Sequence, residues 1–495
     1  MSGPFRILRM VVVVAWVGLM IALVRFPADE PGVREAGAAA PLVTLEPSEA
    51  REGGDWSGLY MRGAKIGYAH SQVRPTRDGF TIEETSAMRL TMLGKEQAVR
   101  AVTTADTGPD WAVRTFAVTI DSDLGPLAVR GEVVGDMLRL HMTTAGETTD
   151  QTLSLPGPIY VPSAARERLR SLGLRKGLRI ELPVFDPSAM QPTMTTLTVG
   201  DREMIRIGSR DVAVWRVTEA MRGIESVVWL DEGGRMLREQ GPMGLEVRRE
   251  SAADAVNAGW TEAPVDLLGA VAVQVRGVVA APRELDRLEV RLSGLGAVLP
   301  PSDARQRFDG DILTVARESL PAETYPLPYR GQAWAGELVA TPFLQIDHPS
   351  VQAAARAALA EARDAGGATE RLRHWVRANL RQQPAATIPN AVQVLQTRVG
   401  DCNEHAVLFA ALARVVGLPA RVVAGVVYVD GAFLYHAWNE VWLGHGWVTV
   451  DTAFDQMPAD ATHLKLIEGG PETHADLMAL VGSLSIEILP GVPEG

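Results

Sequence analysis

The sequence predicts an α+β protein, in which a long β-rich region is followed by helices and then by a second group of strands. From residue 56 to residue 249, runs rich in valine, isoleucine, threonine and aromatic residues alternate with glycine, aspartate and proline, a pattern typical of strands and turns. From residue 351 to residue 413, apolar residues recur at helical spacing. Strand-type sequence then returns from residue 420 to residue 450, so these strands follow the helices and do not alternate with them.

Length and charge narrow the classes of protein to which the chain could belong. With 495 residues the chain is expected to form about three domains, at roughly 150 residues each. Its formal net charge of −12 argues against nucleic acid as a partner, because the binding of phosphates requires a basic surface. A single cysteine, Cys402, excludes an intramolecular disulfide. The oligomeric state stays open.

Residues 1–30 are predicted to be a signal peptide or a signal-anchor helix. Arg6 and Arg9 precede an uncharged apolar run, Met10–Val24, and a positive flank before such a run is typical of export signals. The run is shorter than the about 20 residues of a full membrane span, so cleavage and anchoring both remain open. We therefore expect a protein anchored in the inner membrane and facing the periplasm, or one secreted to the periplasm or the cell exterior. Residues 31–52, rich in alanine, proline and glycine, are predicted to form a linker.

Residues 53–255 are predicted to form a large antiparallel β-sheet domain. Within it, Asp231–Arg235 contains two glycines between two strand-type runs, which indicates a hairpin. A short helix is expected from Ser163 to Leu172. A smaller β-rich domain or connector is predicted for residues 260–335, where frequent prolines interrupt the strands.

Residues 340–490 form the last predicted domain, which begins with helices. Two helices are expected at Val351–Ala365 and Thr369–Arg381, separated by a pair of glycines. A further, buried helix is expected from Ala406 to Ala413. Strands are then expected at Ala420–Val429, at 433–443 and at 447–450.

Three side chains of this last domain suggest nucleophilic catalysis. Cys402 stands where the buried helix begins, and the positive end of a helix stabilises a thiolate. A histidine can take the thiol proton and return one to a leaving amine, while a carboxylate on its other nitrogen fixes the tautomer. His436 and Asp451 lie in or beside strand-type segments further along the chain and could supply these two roles. The sequence therefore predicts a nucleophile system of Cys402, His436 and Asp451.

Each of these residues also has an interpretation that does not involve catalysis. A lone cysteine in an apolar context is more often a small core residue, and a single histidine is often a hydrogen-bonded interior residue. Cys402 and His405, with His436 or His445, could form a metal site, but zinc would require further ligands in matched geometry. We therefore expect no metal, and we read His405 as a helix residue beside the nucleophile. The run from Asp460 to His463 favours a solvated loop.

Four segments in order resemble the transglutaminase-like superfamily. They are Gly400–Ala406, Gly417–Val423, His436–Glu440 and Gly446–Asp451. The resemblance implies a papain-like core, with the cysteine at a helix amino terminus and the histidine and aspartate on adjacent strands. It also implies that Cys402 is the nucleophile, His436 the general acid and base, and Asp451 the orienting acid.

Two features near the site differ from a simple match. Many members of the superfamily have Asp-Pro-Thr at the third position, whereas this chain has Asp451-Thr452-Ala453, which alters the turn. Asp401 stands directly before the cysteine, and its charge would oppose thiolate formation unless it is turned away or paired. The amide of Cys402 is a candidate oxyanion donor. Gln396 and Trp375 are further candidate side-chain donors, but both are better explained as helix surface or core.

The expected function follows from this resemblance. It is a cysteine enzyme of the envelope that cleaves or transfers amide bonds of a peptide or protein substrate through a thioester, without a cofactor. Hydrolysis, as a protease or amidase, is favoured over cross-linking to lysine, and the membrane is a partner only through residues 1–30. The alternative is a non-catalytic binding or assembly module of the envelope, in which residues 53–255 provide the working surface. That β region loosely resembles the one-sided β-sheet domains of bacterial envelope proteins.

Overall fold

The computed structural model describes residues 54–490, except for 93–94, 123–126, 145–146, 187–190, 258–272, 297, 383–389, 471–476 and 478–479. The chain divides into two compact units, the first ending at Ala270 and the second beginning at Val271. Across the described ranges, no helix has the length and apolar character needed to cross a membrane. The predicted signal segment, residues 1–30, and the predicted linker, residues 31–52, lie outside them.

The first unit contains one antiparallel sheet of fourteen strands, counted over the described ranges. The strands are β1 (Asp55–Met61), β2 (Ala64–Pro75), β3 (Phe80–Met92), β4 (Lys95–Thr107), β5 (Val113–Ser122), β6 (Leu127–Val134), β7 (Met137–Thr144), β8 (Glu147–Ser154), β9 (Arg179–Asp186), β10 (Gln191–Ile207), β11 (Arg210–Met221), β12 (Ile224–Leu230), β13 (Met236–Gln240) and β14 (Leu245–Glu250). The predicted α+β class and large antiparallel sheet are confirmed.

The path of the chain through this sheet explains its order. Strands β1 to β8 run outward from the middle to one edge, each paired with the next along the chain. Helix α1 (Pro162–Ser171) follows, and the chain resumes at the opposite edge with β9. It then returns strand by strand until β14 pairs with β1. Two meanders therefore meet at one non-local pairing.

The hairpin predicted at Asp231–Arg235 is present in this unit. The predicted hairpin joins β12 to β13, where the Asp231 amide donates to the Arg235 carbonyl and the Arg235 amide donates to the Asp231 carboxylate. Gly234 adopts a φ of 77°, a left-handed conformation that favours glycine. A short helix α2 (Ala252–Asn257) covers the inner part of the sheet and places Ala255 against Trp56.

The second unit combines helices with three sheets. Its helices are α3 (Pro349–Leu359), α4 (Ala365–Asn379), α5 (Ala391–Thr397) and α6 (Cys402–Val415). Its strands are β15 (Gln274–Arg276), β16 (Arg287–Ser293), β17 (Gln306–Asp309), β18 (Ile312–Ala316), β19 (Arg381–Gln382), β20 (Val399–Gly400), β21 (Ala420–Val429), β22 (Ala432–Trp442), β23 (Trp447–Val450), β24 (Leu464–Glu468) and β25 (Ser485–Ile488). The sheet orders are β15-β25-β16-β18-β17, β19-β20 and β23-β22-β21-β24.

Helix α6 is the centre of this unit. Its residues from Cys402 to Arg414 are buried, and it packs against β21 and β22 on one side and against α3, α4 and α5 on the other. The three strands predicted after it match β21, β22 and β23. The predicted break at the paired glycines is wrong, because both lie inside α4. Asp364 caps that helix by accepting a hydrogen bond from the Gly367 amide at 3.0 Å.

Buried polar contacts join the five-stranded sheet to the four-stranded sheet. The Gln306 side chain exchanges two hydrogen bonds with the Lys465 backbone, at 2.8 and 3.0 Å. The Lys465 ammonium is fully buried and contacts the carboxylates of Asp303, Glu440 and Glu468 at 2.5–2.8 Å. Because a buried cation is stable only when it is paired, these contacts fix β24 and its neighbours in one arrangement.

Candidate functional site

Cys402 is the first residue of α6, and its side chain is fully buried. The backbone N–H of Ala437, on β22, donates a hydrogen bond to the sulfur. Burial raises the pKa of the thiol well above its ordinary value, and the nearby charge of Asp401 raises it further. The Ala437 amide acts in the opposite direction, since it favours the thiolate. The thiol therefore lies directly against the strand that carries His436.

Asp401 serves as the N-terminal cap of α6. Its carboxylate accepts a hydrogen bond from the Asn403 amide at 2.8 Å, while its own amide donates to the Glu404 carboxylate at 2.9 Å. Gly400 permits this reciprocal capping box, because a Cβ at that position would lie 2.2 Å from the Glu404 Cβ. Burial and the Glu404 carboxylate raise the pKa of Asp401. The negative charge that would oppose a thiolate is therefore itself disfavoured.

His436 and Asp451 are in direct contact. His436 lies on β22, and Asp451 follows the last residue of the neighbouring strand β23. The His436 Nε2 and the Asp451 Oδ2 are 2.7 Å apart, and both side chains are buried. The bond to the carboxylate uses Nε2, so Nδ1 is the ring nitrogen that could exchange a proton with a thiol.

The turn after Asp451 holds its second carboxylate oxygen. Oδ1 accepts hydrogen bonds from the amides of Ala453 and Phe454, at 2.8 and 2.9 Å. Neither bond uses the amide of Thr452, so this turn forms without the proline that many superfamily members carry there. The departure from Asp-Pro-Thr leaves the aspartate fixed.

A second histidine contacts the same carboxylate. The His463 Nε2 is 3.0 Å from the Asp451 Oδ2, and the His463 Nδ1 is 3.3 Å from the Asp460 Oδ1. His463 and Asp460 have no exposed surface. The expectation of a solvated loop from Asp460 to His463 is therefore wrong. The alanines at 459 and 461, also fully buried, were the available sequence signal.

Opposing effects set the protonation of this cluster. Burial alone would raise the pKa of Asp451, but the charges and hydrogen bonds of His436 and His463 hold it well below its usual range. Burial lowers the pKa of His436, and the charges of His463 and Arg283 lower it further against the attraction of Asp451. The pKa of His463 is raised, because its bonds to two carboxylates outweigh its burial. His436 is thus the histidine suited to be neutral, and His463 the one suited to be charged.

The remaining candidates occupy other positions. His405 is buried one turn into α6, with its Nδ1 at 2.6 Å from the Asp401 carbonyl. Gln396 is exposed on α5, and Trp375 on α4 is half-buried beneath the Arg398 guanidinium, 5.1 Å from its ring centre. His445 is exposed in the turn between β22 and β23.

Two groups of potential metal-binding side chains occur within the described ranges, and neither includes Cys402. Asp303, Glu440 and Glu468 surround the Lys465 ammonium, which already supplies the cation there. The other group is His436, Asp451 and His463. In it, the atoms that would face an ion are hydrogen-bonded directly to one another, at 2.7 and 3.0 Å. We assign these atoms to hydrogen bonding.

Residues 352–452 match the family model of the transglutaminase-like superfamily. A search of curated protein sequences gives no match. Three solved structures are similar to parts of the chain at low identity. A "putative cysteine protease" from Cytophaga hutchinsonii has 17% identity over 41% of this chain and 83% of that chain, with a TM-score of 0.27. A β-barrel-like protein of domain of unknown function DUF1849 from Brucella abortus has 14% identity over 40% and 95%, with a TM-score of 0.31. A DUF1089 family protein from Pseudomonas aeruginosa has 17% identity over 34% and 87%, with a TM-score of 0.22.

Proposed function

We propose that the second unit, in which residues 352–452 match the model of the transglutaminase-like superfamily, is a cysteine enzyme that cleaves or transfers amide bonds through a thioester on Cys402. The contacts of Cys402 and His436 support this proposal. The thiol accepts a hydrogen bond from the amide of Ala437, and the preceding residue is a histidine whose Nε2 is held by Asp451 at 2.7 Å. In this proposal Cys402 is the nucleophile, His436 the base and Asp451 the orienting carboxylate.

The first step forms the acyl-enzyme. Nδ1 of neutral His436 takes the proton of the Cys402 thiol, and the sulfur attacks the carbonyl carbon of the substrate amide. The new C–S bond forms as the carbonyl oxygen becomes an oxyanion. The amide of Cys402, at the first residue of α6, is the candidate donor to that oxyanion. When the oxyanion collapses, the C–N bond breaks and the His436 imidazolium protonates the departing amine.

The second step depends on the acceptor. His436, neutral again, takes a proton from water or from an amine, which attacks the thioester carbonyl. The C–S bond breaks, and the thiol recovers its proton from His436. Water yields a carboxylic acid, and a lysine amine yields a new amide bond. Water is present at far higher concentration, so transfer requires the active site to bind the amine and exclude water. We therefore favour hydrolysis.

The setting proposed for this chemistry is the cell envelope. It rests on the sequence of residues 1–30, where Arg6 and Arg9 precede an uncharged run of apolar residues. The substrate would be a peptide or protein that meets the enzyme beyond the inner membrane. Because Cys402 has no exposed surface, the chain around the thiol must move before a substrate carbonyl can reach it.

The test is a comparison of cells that carry the wild type, Cys402→Ala or His445→Ala. Peptide amino termini and lysine cross-links are measured across the proteome. We expect termini that depend on Cys402 and are unchanged by the exposed control, His445→Ala. Cross-links that depend on Cys402 would favour transfer. An unchanged proteome in Cys402→Ala, together with a phenotype abolished by deletion of residues 56–250, would overturn the proposal in favour of a binding module.

A further inference from the structure

His463 has hydrogen-bond acceptors on both sides of its ring. Its Nε2 faces the Asp451 Oδ2 at 3.0 Å. Its Nδ1 faces the Asp460 backbone carbonyl and the Asp460 Oδ1, both at 3.3 Å. A neutral imidazole carries one donor and one acceptor, so it can satisfy only one of these two sides. The imidazolium, with two N–H groups, satisfies both.

The surroundings of His463 are arranged to hold that extra proton. Asp460 keeps its orientation because Oδ1 also accepts from the amide and hydroxyl of Thr462, at 2.9 and 2.5 Å. The other oxygen, Oδ2, accepts from Gln456 at 2.9 Å and pairs with Arg283 at 3.2 Å. Two carboxylates, Asp451 and Asp460, thus flank one imidazole in a region without exposed surface.

Asp451 divides one oxygen between two histidines. Its Oδ2 lies 2.7 Å from the His436 Nε2 and 3.0 Å from the His463 Nε2. The two imidazole rings are 5.8 Å apart between centres. A positive His463 therefore draws on the same negative charge that would stabilise a positive His436.

We propose that His463 is a positioning residue of the active site: as an imidazolium clamped between Asp460 and Asp451, it holds the Asp451 carboxylate in place and limits the basicity of His436. This inference deepens the proposed function and rests on it. In the resting enzyme, Cys402 and His436 are then a neutral thiol and a neutral imidazole.

Other charged groups around the site belong to several elements. Arg283 lies on the turn before β16, with its guanidinium 3.9 Å from the centre of the Phe454 ring. Asp401, Glu404 and His405 lie at the start of α6, and Arg377 on α4 binds the Ala453 carbonyl at 2.7 Å. His463 and His436 both contact the Asp451 Oδ2, so a change at His463 can reach His436 through that oxygen as well as through its charge.

The test uses the fact that Cys402 is the only cysteine. The rate of its alkylation by iodoacetamide is measured from pH 5 to pH 9 in the wild type and in His463→Gln, Asp460→Asn and His436→Gln. His445→Gln is the matched control, because it makes the same substitution at an exposed position. Circular dichroism at each pH confirms that each variant is folded.

The expected direction follows from the charge on His463. His463→Gln can still donate to Asp451 but carries no charge, so His436 becomes a stronger base and takes the thiol proton at lower pH. The midpoint of alkylation should fall by about one pH unit, the size expected when a like charge is removed at this distance. Asp460→Asn should produce a smaller shift in the same direction, and His445→Gln none. Folded His463→Gln and Asp460→Asn with the wild-type midpoint would overturn the inference.

The same profiles separate this inference from the proposed function. If His436→Gln changes the profile while His463→Gln does not, the role of His463 fails and the proposed function stands. If His436→Gln also leaves the profile unchanged, the coupling of Cys402 to His436 fails. A measurement on the wild type needs no folded variant: in 15N-histidine NMR spectra, one imidazolium should persist at pH 8, where ordinary imidazoles are neutral. Its absence would contradict a charged His463.

Discussion

The two units each bury a cluster of charges, and the clusters differ in what their protons can do. In the first unit, the Arg166 guanidinium on α1 binds Glu219 on β11 and Glu239 on β13. Its hydrogen bonds to these carboxylates include one to Glu219 at 2.6 Å and two to Glu239 at 2.7 and 2.9 Å. Arginine keeps its proton at any ordinary pH, and the two carboxylates raise the pKa of Arg166 further. That cluster can only join helix to sheet. The cluster at Asp451 contains two histidines, His436 and His463. An imidazole can gain or lose a proton near neutral pH, so this cluster can take part in proton transfer.

Cys402→Ala should have the largest effect of any single substitution in the second unit. It removes the sulfur that forms the thioester, and loss of a catalytic nucleophile lowers kcat by as much as about 10⁶-fold. Turnover is measured on a substrate identified by the proteome comparison. The Arg166 cluster should be unaffected, so the urea midpoint of the first unit is expected to stay at its wild-type value. Residual turnover close to that of the wild type would show that another group is the nucleophile.

Asp451→Asn should lower kcat by roughly 10³- to 10⁴-fold, because the amide no longer fixes the tautomer of His436. An asparagine would also place its oxygen or its nitrogen against two imidazoles at once. The matched control is Asp455→Asn, a partly exposed carboxylate nearby that binds Arg373, and it should change kcat little. Equal losses in the two variants would mean that Asp451 acts on folding and not on His436.

Arg166→Met should act on stability alone. Breaking a buried ion pair from one side leaves uncompensated charges and typically costs about 3–5 kcal/mol. Arg179→Met is the control in the same unit, because Arg179 and its partner Glu181 are both more than half exposed; an exposed pair contributes about 1 kcal/mol or less. Urea unfolding gives both values. A change in the alkylation rate of Cys402 in folded Arg166→Met would break the distinction between the two clusters.

The smallest expected effect is a pH dependence of stability. The pKa of Asp460 is held below its ordinary value by its bonds to His463, Thr462 and Gln456, against the effect of burial. A depressed carboxyl pKa stabilises the fold above the unfolded value of about 3.9, and that stability is lost as the pH falls through the folded value. The free energy of unfolding lost in Asp460→Asn should thus be on the order of 2 kcal/mol near pH 6. It should shrink as the pH falls below about 4, and a constant difference across that range would contradict this assignment.

The sequence supports prediction where a feature depends on nearby residues. Local sequence patterns predict the hairpin from Asp231 to Arg235 and the start of α6 at Cys402. They also predict the strand that carries His436 and the strand that precedes Asp451. The pairing of β14 with β1 and of β25 with β16 joins residues far apart in the chain, and no local pattern specifies it.

The burial of Asp460 and His463 is only weakly indicated by the neighbouring alanines, because it too depends on residues far apart in the chain. Polar residues in a short run indicate a loop, because their burial is costly unless partners are present. Here the partners are distant in sequence: Arg283 lies 177 residues before Asp460. The local motifs therefore predicted Cys402, His436 and Asp451 but did not show that His463 contacts the same carboxylate.

If His436 takes the proton of the Cys402 thiol, its replacement should slow the alkylation of Cys402 at pH 7. Wild type, His436→Gln and the exposed control His445→Gln are treated with the same iodoacetamide concentration, and the modified fraction is followed by intact mass. Circular dichroism confirms the fold. We predict that His436→Gln lowers the rate constant by about 10²-fold, as expected for loss of a positioned base, whereas His445→Gln leaves it unchanged. Equal rate constants in all three folded proteins would mean that His436 does not act on the thiol.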